Sequence, residues 1–182
     1  VSPGYVGPDV LTAVPLDEEG FLRTGDLARA RHDGAPERGL CFDGRLAEDF
    51  KLTTGTRVKV GALRHAILAA CAPDLQDVAI AGAGQDRIAL ILFPTSTALA
   101  AESDALQARM ADALAAHNAA MPGSSTSIFR AAIAAEPPDR AAGEINDKGH
   151  LVQKTCLRNR AALVDRLYGD APDPGMICPD NI

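Results

Sequence analysis

Residues 42–64, FDGRLAEDFKLTTGTRVKVGALR, decide how the chain is organised. The stretch opens on a glycine turn, Asp43-Gly44-Arg45, and the pattern of residues changes across it. Downstream, Glu48–Val60 reads as two short strands around the Thr53-Thr54-Gly55 turn. Residues 61–72 then place Leu63, Ile67, Leu68 and Cys71 at helical spacing, and Pro73 ends the helix.

Upstream, residues 1–44 read as β structure with turns. VSPGYVGPDV sets Pro and Gly at turn spacing, and an acidic turn with Gly20 precedes an expected strand, Phe21–Arg23. A sharp Thr24-Gly25-Asp26 turn follows. RHDGAPERGLCFDGRL predicts a hairpin, with His32-Asp33-Gly34 in the loop and the return strand beginning at Gly39. The piece is too short to form a domain.

Beyond the first helix, QDVAIAGAG and RIALILFP predict two strands joined by the turn at 82–86. Their near-continuous apolar character points to a sheet covered on both faces. AESDALQARMADALAAHNAAM predicts a helix with Leu106, Met110 and Leu114 on one face, stopping at Met121-Pro122-Gly123. SSTSIFRAAIA is a further strand. The polar loop DRAAGEINDKGHL (139–151) leads into an expected single helix, residues 151–168, and a Pro/Asp-rich tail expected to be loosely held. The predicted class is α+β: a β-rich piece (1–44), a small domain (45–170) and a tail (171–182).

Bulk properties narrow the function. At 182 residues, 47% hydrophobic and 23% charged, the chain is globular. No run approaches the roughly 18 apolar residues that span a bilayer, and VSPGYVGPDV lacks the pattern of a signal peptide. The net charge of −6 argues against nucleic acid. Basic residues are scattered apart from Lys154, Arg158, Arg160 and Arg166. Four cysteines (Cys41, Cys71, Cys156, Cys178) and four histidines (His32, His65, His117, His150) show no metal spacing, which predicts free thiols, no metal site and a cytoplasmic protein. The chain opens on Val1, so a piece of a longer polypeptide is expected.

Four positions carry candidate chemistry. Asp26, after the Gly25 turn, can present a carboxylate to a pair of hydroxyls such as a ribose diol. Arg45 can fork onto a ribose hydroxyl or phosphate, or simply pair with Asp26, Asp43 or Glu48. Gly55 lets backbone approach a ligand closely, or merely makes a hairpin turn. Lys148 can carry positive charge onto a phosphate, or be a solvated loop charge.

Taken together, these stretches resemble the C-terminal third of the adenylate-forming enzymes: the acyl-CoA synthetases, the adenylation domains of peptide synthetases, and luciferase. PGY…LT…DEEGF.RTGD is similar to the end of their large N-terminal domain. DGRLAEDFKLTTGT is similar to the linker and first hairpin of their small C-terminal lid domain, a mixed sheet flanked by helices. Within that superfamily, RLAEDFKLTTGTRVKVGALR and AGEINDKGHLVQK are most similar to feruloyl-CoA synthases and related aryl-CoA ligases.

The resemblance implies a two-step reaction. A small aromatic carboxylate attacks the α-phosphate of ATP, carried with Mg2+, and the coenzyme A thiol then displaces AMP after the lid rotates. It assigns Asp26 to the ribose hydroxyls, Arg45 to the ribose or phosphate, Gly55 to the pantetheine channel and Lys148 to the carboxylate and α-phosphate. The pivot usually carries Asp or Lys, and Ala47 occupies it here. His150 stands in the slot of the family's loop lysine. Lys148 lies two residues earlier, so the loop has to shift to deliver it. The phosphate loop and the aryl pocket do not occur in these residues. The implied protein is thus a ligase fragment that needs a missing N-terminal domain and catalyses little alone. Two alternatives stand beside it: a stand-alone AMP- or CoA-binding or protein-interaction module, and the lid of a fatty-acyl-CoA ligase or carboxylate reductase.

Overall fold

The computed structural model describes residues 17–100 and 102–179; the turn-rich β structure expected for residues 1–16 lies outside them. The chain divides between Ala47 and Glu48 into two compact units.

The first unit is built on a hairpin of β1 (Asp26–Ala30) and β2 (Leu40–Arg45), joined through a 3-10 turn at Pro36–Arg38. The strand expected at Phe21–Arg23 is reduced to a single bridging residue, Leu22, and the strand starts at Asp26 instead. The reason is local. The N–H of Phe21 donates to Asp17 Oδ1 and its carbonyl accepts from Asp17 N–H, so its backbone closes a turn rather than a ladder. Ala28 pairs with Phe42 and Ala30 with Leu40, which puts these four side chains on one face of the ribbon.

In the second unit, β3 (Phe50–Lys51) and β4 (Arg57–Val58) form the short hairpin, followed by α1 (Val60–Ala70). A three-stranded sheet has the order β5-β6-β7, from Leu75–Ala81, Ile88–Pro94 and Ile128–Ile133. β5 and β6 are antiparallel, whereas β6 and β7 are parallel. Between β6 and β7 run α2 (Ser96–Leu99) and α3 (Ser103–Ala120); α4 (Gln153–Asn159) and α5 (Ala161–Leu167) come last.

The central strand β6 is buried along its whole length. Ile88, Leu90 and Leu92 pack with Leu63 and Ile67 of α1 and with Leu106, Met110 and Leu114 of α3. Ala89, Ile91 and Phe93 point the other way, into a second cluster with Leu151, Cys156 and Leu167. The sheet is covered on both faces, as the unbroken apolar run predicts. Leu90→Ala and Ile91→Ala should therefore each cost about 2–5 kcal/mol in urea or thermal unfolding, although the two residues face opposite sides. A sheet with one wet face would register only one of them.

Two further expectations need correction. The last helix is two short helices broken at Arg160, whose backbone (φ −105°, ψ 29°) leaves the helical region. The tail, as far as it is described (residues 171–179), is not loose. Ala131 and Ile177 exchange both backbone hydrogen bonds at 2.8 Å, which extends the sheet beyond β7, and Met176 and Ile177 are buried. The Pro and Asp residues around them concealed an apolar pair with an open strand edge to bind. No helix among the described residues is long and apolar enough to cross a membrane.

Candidate functional site

The candidate residues fall into two groups, one in each unit. In the first, Thr24 Oγ1 accepts the Asp26 N–H at 3.1 Å and Gly25 takes a left-handed φ of +74°, which forms the turn presenting Asp26. A β-bulge decides what faces it. Leu27 pairs with Gly44 but Ala28 pairs with Phe42, so Asp43 is an extra residue in β2. The inserted residue shifts the register by one and sets Arg45, not Gly44, opposite Asp26. Arg45 Nε lies 3.1 Å from Asp26 Oδ1, with both side chains open to solvent (59% and 37% exposed). Such an exposed pair contributes at most about 1 kcal/mol, so both charges stay available to a ligand.

Ala47 lies between two held residues, Leu46 by its backbone and Asp49 by its side chain. Leu46 N–H is held by the carbonyl of Gly25 at 2.9 Å. Asp49, on the other side, accepts the Val60 N–H and pairs with Arg57 at 3.1 Å. Ala47 itself is exposed in a turn.

In the second unit, Gly55 has φ +84° at the tip of the β3–β4 hairpin, and nothing lies within 4 Å of where its Cβ would be. Leu52 and Thr56 close this tip, and Thr53 N–H donates to the carbonyl of Gln85 at 2.8 Å, tying it to the β5–β6 turn. Gly55 thus offers bare backbone to solvent from a fixed hairpin.

Lys148 stands exposed on a tight turn. Asn146 Oδ1 accepts the N–H groups of both Lys148 (3.0 Å) and His150 (2.9 Å), and Gly149 takes φ +83°. Ile145 and Leu151 bridge the two arms of the turn. No carboxylate among the described residues pairs with the Lys148 ammonium.

Behind the turn sits a pair that sequence reasoning missed. Glu144 and Arg160 form an ion pair at 2.9 Å with side chains only 4% and 16% exposed. Burial pushes the Glu144 carboxyl up, but hydrogen bonds from Arg160 and from the Asp139 N–H outweigh it and hold the group below the ordinary carboxylate range. In the sequence Arg160 reads as one of several basic residues of the last helix, and sixteen positions separate it from Glu144. No local spacing signals the contact. Arg166 of that basic cluster is likewise committed, to Asp173.

A groove of about 400 Å3 between α3, the end of β7 and the tail is lined by Leu106, Ile133, Leu163 and Met176 among others, and by none of the four candidate residues. All four cysteines are free. Burial pushes the Cys71 and Cys156 thiols up to about 11, which leaves them protonated and unreactive at neutral pH. No group of three or more His, Cys, Asp or Glu among the described residues could hold a metal ion.

Residues 49–172 match the family described as AMP-binding enzyme C-terminal domain, and the chain belongs to that family. Among solved structures, the adenylation domain of a carboxylate reductase from Mycobacterium chelonae is similar at 24% identity, over 92% of this chain and 26% of that one, with a TM-score of 0.73. The A domain of a carboxylic acid reductase from Segniliparus rugosus, in complex with AMP and a co-purified carboxylic acid, is 22% identical over 91% of this chain and 26% of that one, with a TM-score of 0.69. An anthranilate CoA ligase in complex with anthranoyl-AMP is 18% identical over 82% of this chain and 26% of that one, with a TM-score of 0.56. At these identities the likeness establishes the fold. The chain spans about a quarter of the length of each of these structures. No curated protein matches it.

Proposed function

We propose that this chain is the C-terminal part of an ATP-dependent aryl carboxylate–CoA ligase of the feruloyl type. The observation that carries the reading is the exposed Lys148 on its built turn, within the residues that match the AMP-binding family. In the first step a carboxylate oxygen attacks the α-phosphate and pyrophosphate leaves. Negative charge grows on the phosphate oxygens, and an ammonium brought beside them stabilises it. In the second step the thiol of coenzyme A attacks the acyl carbonyl and AMP leaves. In this reading Mg2+ enters the first step carried on the phosphates of the nucleotide.

In this reading the first unit is the end of a large N-terminal domain. Its ribbon face supports that: Leu40 and Phe42 are 61% and 69% exposed, an apolar surface that favours cover by further protein. Asp26 and Arg45, joined only by a surface ion pair, hold the ribose hydroxyls and the phosphate. Ala47, between its two pinned neighbours, is the hinge. Gly55, with open space at its α-carbon, lines the path of the pantetheine arm. The second unit is the lid, and the tail closes its sheet.

The test is acid-dependent exchange between ATP and pyrophosphate, using the complete polypeptide that contains these residues. Exchange with hydroxycinnamate-type acids, followed by a thioester with coenzyme A, is expected, and the isolated 182 residues should exchange little. Exchange only with long-chain fatty acids would replace the aryl reading. Transfer to a carrier-domain thiol and not to coenzyme A would make the protein a reductase adenylation unit. No exchange with any acid would point to a free-standing binding module.

A further inference from the structure

We infer that the buried Glu144–Arg160 pair is a positioning device for the turn that carries Lys148. The pair joins everything that enters and leaves that turn. Arg160 donates to the carbonyls of Glu136 (3.1 Å) and Pro137 (2.8 Å), where the loop begins, and to both oxygens of Glu144. Its guanidinium also stacks over the ring of Phe93 in the central strand, 4.9 Å from the centroid. Glu144 takes the Asp139 N–H on its carboxylate at 2.8 Å, and its carbonyl takes the Val152 N–H at 2.7 Å, just before α4. Arg140 then donates to the carbonyl of Asn146 at 3.0 Å, and Asn146 holds Lys148 and His150. A continuous set of contacts runs from the fully buried β6 to the backbone of Lys148.

Stability alone does not account for this arrangement. Well-packed apolar residues commonly replace a buried ion pair without loss, because desolvation cancels most of the attraction between the charges. What apolar residues cannot supply is direction. A guanidinium with five donors orients three carbonyl or carboxylate partners at once. The break between α4 and α5 falls at Arg160, whose side chain reaches back to the loop, and Asn159 beside it donates from Nδ2 to the Ala142 carbonyl at 3.1 Å. Arg160 and Glu144 thereby act on Lys148 through the turn and do not touch a substrate. They are positioning residues. The consequence for catalysis rests on the ligase reading of Lys148; the consequence for the turn does not.

The test uses two variants: Glu144→Gln, and the double variant Glu144→Leu/Arg160→Met, which leaves no stranded charge and keeps the fold if the single change does not. Backbone 15N relaxation reads the order of residues 146–150. In the unmodified chain these amides should have order parameters near 0.85, and in the variants they should fall below about 0.6 while β6 stays rigid. Retention of rigid values in a folded variant overturns the inference. In the complete ligase the double variant should lower kcat for adenylation roughly 10- to 100-fold with the KM for ATP little changed, and spare thioester formation from supplied acyl-adenylate. If the turn loosens while Lys148→Ala leaves adenylation intact, the ligase reading of Lys148 fails and the positioning role stands. If the turn stays rigid, the positioning role fails whatever Lys148 does.

Discussion

On the ligase reading, Lys148→Ala in the complete polypeptide should lower acid-dependent adenylation about 10²–10³-fold, the usual cost of removing one preorganised group that meets developing charge. Thioester formation from supplied acyl-adenylate should survive. The separation follows from where charge develops. Attack by the carboxylate concentrates negative charge on the α-phosphate, whereas the second step expels AMP from an acyl group already activated. The built turn supports the first role, because Asn146 orders the backbone of Lys148 while its side chain remains exposed. Lys148→Arg should recover little, since a planar fork does not reproduce a compact ammonium at a crowded phosphate. The two half-reactions are read separately, by pyrophosphate exchange and by thiol consumption. Equal survival of both would remove Lys148 from the mechanism, and His150, two residues on, would be the next residue to replace.

Glu144→Ala should destabilise the second unit by roughly 3–5 kcal/mol, because it strands the Arg160 guanidinium in a place with little water. The pH dependence has a definite sign. The Glu144 carboxyl lies below its unfolded value, since the hydrogen bonds from Arg160 and the Asp139 N–H outweigh burial. Its contribution is therefore complete above the unfolded pKa of about 4.3 and is lost as pH falls through the lower folded value. Stability should drop below about pH 4, and Glu144→Gln should flatten part of that fall. A residual slope is expected from Asp74, whose carboxyl is also lowered, by its hydrogen bond from Arg109. Thermal unfolding followed from pH 3 to 7 in both proteins checks this. Parallel profiles would show that the carboxyl of Glu144 titrates alike in the folded and unfolded chain.

Much of the fold is legible in the chain because it depends on local pattern. The unbroken apolar run at Ile88–Phe93 announces a strand covered on both faces. The spacing of Leu106, Met110 and Leu114 announces a helix with one buried stripe, and Thr53-Thr54-Gly55 announces its hairpin. Period and turn chemistry are properties of neighbouring residues, so they survive without tertiary information. The corrections arise where backbone groups choose partners. Phe21 gives its N–H and carbonyl to Asp17 and forms no strand. Ile177 finds the open edge of Ala131 and holds a tail that composition describes as loose.

The candidate site divides along the same line. Gly25, Gly55 and Lys148 are marked by turn residues beside them, and sequence alone determines that each lies on an exposed turn. That Arg45 faces Asp26 depends on one inserted residue in β2, because a strand's register is a relation between two segments. That Glu144 meets Arg160 depends on a loop and a helix break sixteen residues apart, brought together over Phe93. Local sequence determines which way a turn bends. Only the packed sheet decides what stands behind it, since burying two opposite charges requires an enclosure that no short stretch of chain can build.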